Sequence, residues 1–479
     1  KVTMPEMFTL LNNSHKFTTE FVKQQFERGI RPIDKNSTIE NVMIKAIFGN
    51  CSNNPFVSIN DVVIVCDGTI YNSEKLFEEL GIEPETEYDY EIIVHLYIRY
   101  GIETALRLID GIYAFAILDH RLSSINEELD STMYVARDPY GVKPMYLLHP
   151  NTKNIMIAYN KSAGDIYALS SNLDMLKGFE EELNVIEHPE NDSLIVKGKP
   201  KKCYYVIDTI LPGTYSVFEQ KFRVLASWRF IRHQIPYHMC QLGLGTNNTI
   251  DANKLLQEAV VKRIGRGAFT PPTTNLVDDL RSSDKFGNKP VSMILTGNYE
   301  GFMTAAIANE ELNDQEKYVN TFSFQSSTDD VQLVTDILKT NHTVVTVTDA
   351  DIENEKENID PAFADQVELW LMAKTIARVA PNSVVFLEIG IDKLDHLFES
   401  DNPSHIDFQD RLLYYFKSIC SDRLNKISKI FWHHGLEVQI PWLDNALVQH
   451  FVTNCKDVKF TFNPVGVYGN KLLPEELFI

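Results

Sequence analysis

Basic residues are scarce in this chain relative to acidic ones, with 45 Lys and Arg against 66 Asp and Glu. The resulting net charge of -21 repels nucleic-acid backbones and anionic membranes at long range. Direct nucleic-acid binding is therefore not expected. The acidity is spread along the sequence, and its densest short cluster, Glu353 to Glu357, reads as a solvated loop or helix face. Cysteine is also sparse. Cys51, Cys66, Cys203, Cys240, Cys420 and Cys455 lie far apart and form neither a CxxC pair nor a Cys/His metal spacing, which leaves reduced, mostly buried thiols. No apolar stretch approaches the roughly 20 residues that cross a bilayer, and Lys1 to Glu6 do not lead into the apolar core of a signal peptide. A cytoplasmic or other reducing compartment, without membrane insertion, is the expectation.

What the chain does have is ordinary globular composition, 44% hydrophobic and 23% charged, over 479 residues. Single hydrophobic cores stop growing near roughly 250 to 300 residues, so two domains are expected. Residues 1 to about 240 read as short apolar or alternating runs between turns, for example Val62 to Cys66, Met133 to Ala136 and Tyr204 to Ile207. Two helical patterns interrupt them, Asp89 to Tyr100 and Glu103 to Ile109. Gln241 to Ile250, rich in Gly, Asn and Thr, reads as a linker, which puts the boundary between domains 1–240 and 251–479. A helix is expected over Asp251 to Ile264, followed by a Gly/Pro/Ser-rich insertion to Pro290 that reads as a mobile loop. Beyond it, Val291 to Leu295, Tyr318 to Phe324, Thr343 to Val347 and Val384 to Leu387 each read as a central strand of a parallel α/β sheet.

Several segments carry a resemblance. Cys66-Asp67-Gly68-Thr69-Ile70-Tyr71-Asn72, Tyr88-Asp89-Tyr90-Glu91, the stretch Ala136-Arg137-Asp138-Pro139-Tyr140-Gly141-Val142-Lys143-Pro144, and Leu211-Pro212-Gly213-Thr214 resemble, in order, the motifs of class II glutamine amidotransferase domains. In the C-terminal half, Leu295-Thr296-Gly297-Asn298-Tyr299-Glu300-Gly301-Phe302 resembles a pyrophosphate loop. Glu388-Ile389-Gly390-Ile391-Asp392-Lys393-Leu394 and Gly435 to Asp444 resemble two further signatures of the same kind of enzyme. The whole layout is similar to glutamine-dependent asparagine synthetases. The resemblance implies an Ntn-hydrolase-like αββα sandwich followed by a parallel α/β synthetase domain.

The same resemblance implies that the chemistry has been lost at both centres. The nucleophile position is held by Pro5, which has no thiol, so no catalytic residue is expected there. Lys45 stands where the family has an Arg that grips the substrate carboxylate, and it offers a point charge in place of a planar fork. Asp67 replaces an Asn that donates to the oxyanion, and losing one such donor reduces rates by about 10²- to 10³-fold. Asp89 and Gly68 remain as relics of the glutamine pocket. In the second centre Leu295, Thr296, Gly297, Asn298 and Glu300 form the altered loop, and Phe302 at its helix start is expected to intrude on the phosphates. Ile389 replaces the catalytic glutamate and Lys393 a later acid, leaving Asp392 alone acidic. No metal site and no cofactor are expected, with ATP and magnesium required only if the synthetase centre works. The expectation is a pseudoenzyme acting as a structural or protein-binding component, for which the resemblance admits a homodimer or a larger assembly of protein partners. Two alternatives stand beside it: an active synthetase using ammonia directly, and a non-catalytic sensor of an amino acid or nucleotide. His433-His434 read as packed or solvated rather than metal-binding, and the aromatic runs Trp228 to Phe230 and Leu412 to Phe416 as packing.

Overall fold

A computed structural model describes residues 7–11, 21–22, 24, 38–43, 46–50, 57–86, 88–121, 132–151, 166–186, 205–219, 223–229, 248–264, 289–313, 317–325, 329–356, 359, 363–389, 414–415 and 424–453. The chain divides into two compact units, Thr3–Ile231 and Arg232–Ile479, the latter taking Lys1–Val2 with it.

In the first unit the strands run β1 (Met7–Leu11), β2 (Thr38–Met43), β3 (Ala46–Asn50), β4 (Val57–Ile59), β5 (Val62–Ile70), β6 (Gly111–Asp119), β7 (Thr132–Arg137), β8 (Tyr146–Pro150), β9 (Tyr167–Ser170), β10 (Tyr205–Thr209), β11 (Thr214–Glu219) and β12 (Arg223–Arg229). They form two six-stranded sheets, ordered β10-β8-β9-β1-β3-β2 and β12-β11-β7-β6-β5-β4. Every neighbouring pair in both is antiparallel.

The two-residue period of a strand decides what lies between the sheets. Met7 and Leu11 of β1 join Val65, Ala114, Ala116, Leu118, Met133, Val135 and Phe218 of the other sheet in one buried cluster. Phe8 and Leu10, on the opposite face of β1, join Met175, Leu176, Phe179 and Leu183 in a second. Both faces of β1 are therefore covered, and the whole strand is buried, Thr9 included.

Helices cover the outside of the sandwich: α1 (Ser73–Leu80), α2 (Glu91–Tyr100), α3 (Ile102–Leu108) and α4 (Leu173–Ile186). On α2, Ile92, Ile93, Leu96 and Tyr97 are buried, as their helical spacing predicts. The helix begins at Glu91 rather than Asp89, because Glu91 N–H closes a turn onto Tyr88 C=O at 3.1 Å. Beside the two helical patterns expected come helices α1 and α4. The first is short and ends on Gly81, whose φ of 66° suits a residue without Cβ.

The second unit contains a five-stranded sheet ordered β15-β14-β13-β16-β17. Its strands are β13 (Val291–Ile294), β14 (Asn320–Phe324), β15 (Asn341–Val345), β16 (Val384–Phe386) and β17 (Glu437–Gln439), all paired in parallel. The helices are α5 (Asn248–Ile264), α6 (Tyr299–Asn313), α7 (Asp329–Leu338), α8 (Asp349–Lys356), α9 (Val367–Val379), α10 (Asn425–His433) and α11 (Asn445–Thr453).

Two expectations change. The region read as a linker ends earlier, since α5 already begins at Asn248, while 241–247 and the insertion over 265–288 lie outside the described residues. The strand expected over Thr343 to Val347 runs over Asn341–Val345 and is an edge strand, not a central one. Among the described residues one flank of β15 has no neighbouring strand, and Asn341 and Val344 are exposed, so the apolar run that marks a central strand is diluted. Glu353 sits exposed on α8, in keeping with a solvated helix face.

Candidate functional site

Strand β5 carries the first group of candidate residues. Gly68 lies opposite Tyr113 of β6, and a Cβ there would fall 2.3 Å from the Ile112 carbonyl oxygen, so the close pairing of the two strands requires glycine. Asp67 beside it is buried, and its Oδ1 lies 2.8 Å from Lys143 Nζ, an ion contact rather than an aligned hydrogen bond. The Asp89 carboxylate accepts a 2.8 Å hydrogen bond from Ile70 N–H at the end of β5. Cys66 is fully buried, and burial pushes its thiol up, with Asp89 and Asp67 adding to the effect and Lys143 opposing it. That thiol stays protonated, which suits a small core hydrophobe and not a nucleophile. Asp67, Gly68 and Asp89 thus gather at one end of β5, whereas Pro5 and Lys45 lie outside the described residues.

Lys143 reaches Asp67 because the loop that carries it is tied from within. The buried Arg137 guanidinium donates to the carbonyls of Lys143 at 2.6 Å, Gly141 at 2.7 Å and Ile210 at 2.7 Å. The Asp138 carboxylate accepts from the backbone N–H groups of Tyr140, Val142 and Lys143. Gly141 turns the loop with φ of 65°. Replacing Lys143 by methionine strands the Asp67 carboxylate in the interior and should destabilise the first unit by about 3 kcal/mol. Adding Asp67→Asn should recover most of that loss; equal denaturant midpoints for Lys143→Met and the unmodified chain would show the ion pair to be idle.

In the second unit, β13 leads into Leu295, which is buried and donates its N–H to Phe322 C=O at 2.8 Å. Thr296 and Asn298 are exposed, Gly297 turns the chain with φ of 98°, and Glu300 lies half-buried in the first turn of α6. From the end of β16, Glu388 reaches across to this loop. Its carboxyl Oε2 accepts from Thr296 Oγ1 at 2.5 Å, and Oε1 lies 3.4 Å from Thr296 N. A Cβ on Gly301 would fall 1.7 Å from Glu388 Oε1, so the carboxyl occupies the space over the first turn of α6. Burial pushes Glu388 up to about 7; the Thr296 hydrogen bonds oppose that rise and Glu300 adds to it.

Ile389 is buried and apolar, while Asp392 and Lys393 lie outside the described residues. Phe302 corrects an expectation: its ring is 1% exposed, packed in the interior instead of standing at an open helix start. The group that reaches the loop is Glu388, not Phe302. Among the described residues no group of three or more His, Cys, Asp or Glu side chains is placed to hold a metal ion. His433 and His434 pack their rings 4.6 and 4.5 Å from Trp370 on α9, as aromatic packing.

Glu388 and Lys143 are the residues that motif reading missed. Each stands inside a recognised motif, but its partner lies far away in sequence, 92 residues in the case of Thr296 and Glu388. The only signal was paired: Glu388 stands where the related motif has glycine, and Gly301 where it has serine.

Residues 42–163 match the model of a glutamine amidotransferase domain. Together with the double antiparallel sheet flanked by helices, this makes the chain a two-unit protein with an amidotransferase-type domain ahead of a parallel α/β domain. The glutamine-hydrolysing asparagine synthetase of Gallus gallus is 22% identical over 457 residues, covering 86% of this chain and 69% of that protein. That of Homo sapiens is 21% identical over 450 residues, with the same coverages of 86% and 69%. The probable asparagine synthetase of Acanthamoeba polyphaga mimivirus is 22% identical over 415 residues, covering 84% of this chain and 66% of its own. Motif order, fold and relatives agree that this is an asparagine synthetase-like protein. No helix among the described residues is long and apolar enough to cross a membrane.

Proposed function

We propose that this chain is a catalytically silent asparagine synthetase-like protein, kept as a structural or protein-binding component. The observation that carries the reading is the buried Asp67–Lys143 ion pair. An oxyanion formed by attack on an amide is stabilised by donors already aimed at it, and here a carboxylate stands at the aligned donor position. The neighbouring Lys143 ammonium is engaged by that carboxylate at 2.8 Å. Pro5 at the aligned nucleophile position, Lys45 in place of the substrate-gripping Arg, and Ile389 and Lys393 in place of acids point the same way. With a net charge of -21, the partner class that fits is protein and not nucleic acid, in a reducing compartment that leaves Cys66 a free thiol.

Purified protein incubated with glutamine should release no glutamate above the rate in buffer. With aspartate, ammonium, ATP and magnesium it should form neither asparagine nor AMP. Glutamate release at rates typical of amidotransferases would sink the silent reading for the first centre. AMP-linked asparagine formation would establish the ammonia-using synthetase in its place.

A further inference from the structure

The order β15-β14-β13-β16-β17 reverses direction between β13 and β16, so the segments that leave those two strands flank a crevice at their carboxyl ends. In parallel α/β sheets this crevice is where ligands bind. The segment after β13 leads into the N-terminal end of α6, and a helix N-terminus, with its unpaired N–H groups and positive dipole end, favours anions. The segment after β16 carries Glu388.

We infer that the Glu388 side chain is a built-in occupant of this anion cradle, an autoinhibitory contact that excludes a phosphate-bearing ligand from the loop Leu295 to Gly301. Three features support it. The carboxyl hydrogen-bonds with the loop through Thr296 Oγ1. It fills the volume beside Gly301, where even a methyl group would collide with it at 1.7 Å. The donors at the carboxyl are the Thr296 hydroxyl and, at 3.4 Å, the Thr296 N–H. A phosphate group needs that same volume and those same donors, so the side chain and the ligand exclude each other. Gly301 is then the counterpart of Glu388, one side chain removed where another has been added. This inference goes beyond the reading of the first centre and does not rest on it.

The test uses the full chain and inorganic pyrophosphate as probe, with binding followed by calorimetry. The unmodified protein should show no saturable binding at millimolar probe, and Glu388→Gly should bind at least about tenfold more tightly. Glu388→Gln, which keeps the bulk and removes the charge, should remain closer to the unmodified protein. Equal affinity in the unmodified chain and Glu388→Gly, or no binding by either, overturns the inference. A second measurement needs no ligand. Gly301→Ser should lower the melting temperature of the unmodified chain but not that of Glu388→Gly, and equal losses in the two backgrounds would show that the contact is absent. Glutamate release from glutamine would refute the reading of the first centre and leave these results unchanged.

Discussion

Replacing Asp444 by alanine should lower the stability of the second unit by about 3–5 kcal/mol, the range for breaking a buried ion pair from one side. Asp444 is buried just before α11 and accepts from Arg263 Nη1 at 2.9 Å and from Lys262 Nζ, both at the end of α5. Its other oxygen accepts the Ala446 N–H at 3.1 Å, as a capping carboxylate does. One side chain therefore ties α5 to α11 and neutralises a guanidinium that is itself only 2% exposed. Alanine removes the anion and leaves the two cations behind. Asp444→Asn keeps the cap and should lose less. Trp370, Trp432 and Trp442, three of the chain's four tryptophans, lie in this unit, so fluorescence during denaturant unfolding reads it selectively. An unchanged midpoint in Asp444→Ala would refute the tie. Burial alone would raise Asp444, but Arg263 and Lys262 outweigh it and hold the carboxyl below its usual range. The unfolded state then binds the extra proton, so this stability is present above about pH 4 and is lost as the pH falls further. Asp444→Asn should lack that part of the acid sensitivity.

How much of this was readable in advance depends on how local each cause is. Val62 to Cys66, Val291 to Leu295 and Val384 to Leu387 are strands because continuous apolar runs must be covered on both faces, and the structure buries them. The edge strand β15 starts two residues before the apolar pattern because its first residues, Asn341 and His342, are polar and carry no such run. Asp67 and Asp89 were found through motif order, since motifs preserve neighbourhoods along the chain. Lys143, Gly301 and Glu388 were quoted within motifs, yet their roles come from contacts that no local pattern contains. Phe302 shows the converse error. Its place at a helix start suggests the ligand side, whereas helical geometry turns its ring to the core.

The motif Ala136 to Pro144 is held together from within by Arg137. Arg137 is fully buried, and its three hydrogen bonds reach carbonyls on both its own loop and Ile210, 73 residues away. The loop from Ile210 to Thr214 is bound back to the same place, with Gly213 N–H donating to Asp138 C=O at 2.9 Å. Arg137→Met would leave the buried Gly141 and Ile210 carbonyls, the part-buried Lys143 carbonyl and the neighbouring Asp138 carboxylate without their cation, at a loss of about 3–5 kcal/mol. Arg137→Lys keeps the charge but not the fork, so it should recover only part of that loss. Burial already pushes Asp138 up, against the pull of Arg137 and three backbone N–H groups. Removing Arg137 lets it rise further, so the native state holds its proton more firmly and the deficit of Arg137→Met should deepen as the pH climbs above the ordinary carboxylate range. Near-UV circular dichroism across that range would follow it, and a pH-independent deficit would exclude the Arg137–Asp138 coupling. The motif can thus be kept by folding alone, since the loop that aims Lys143 at Asp67 needs Arg137 whether or not any substrate is ever bound.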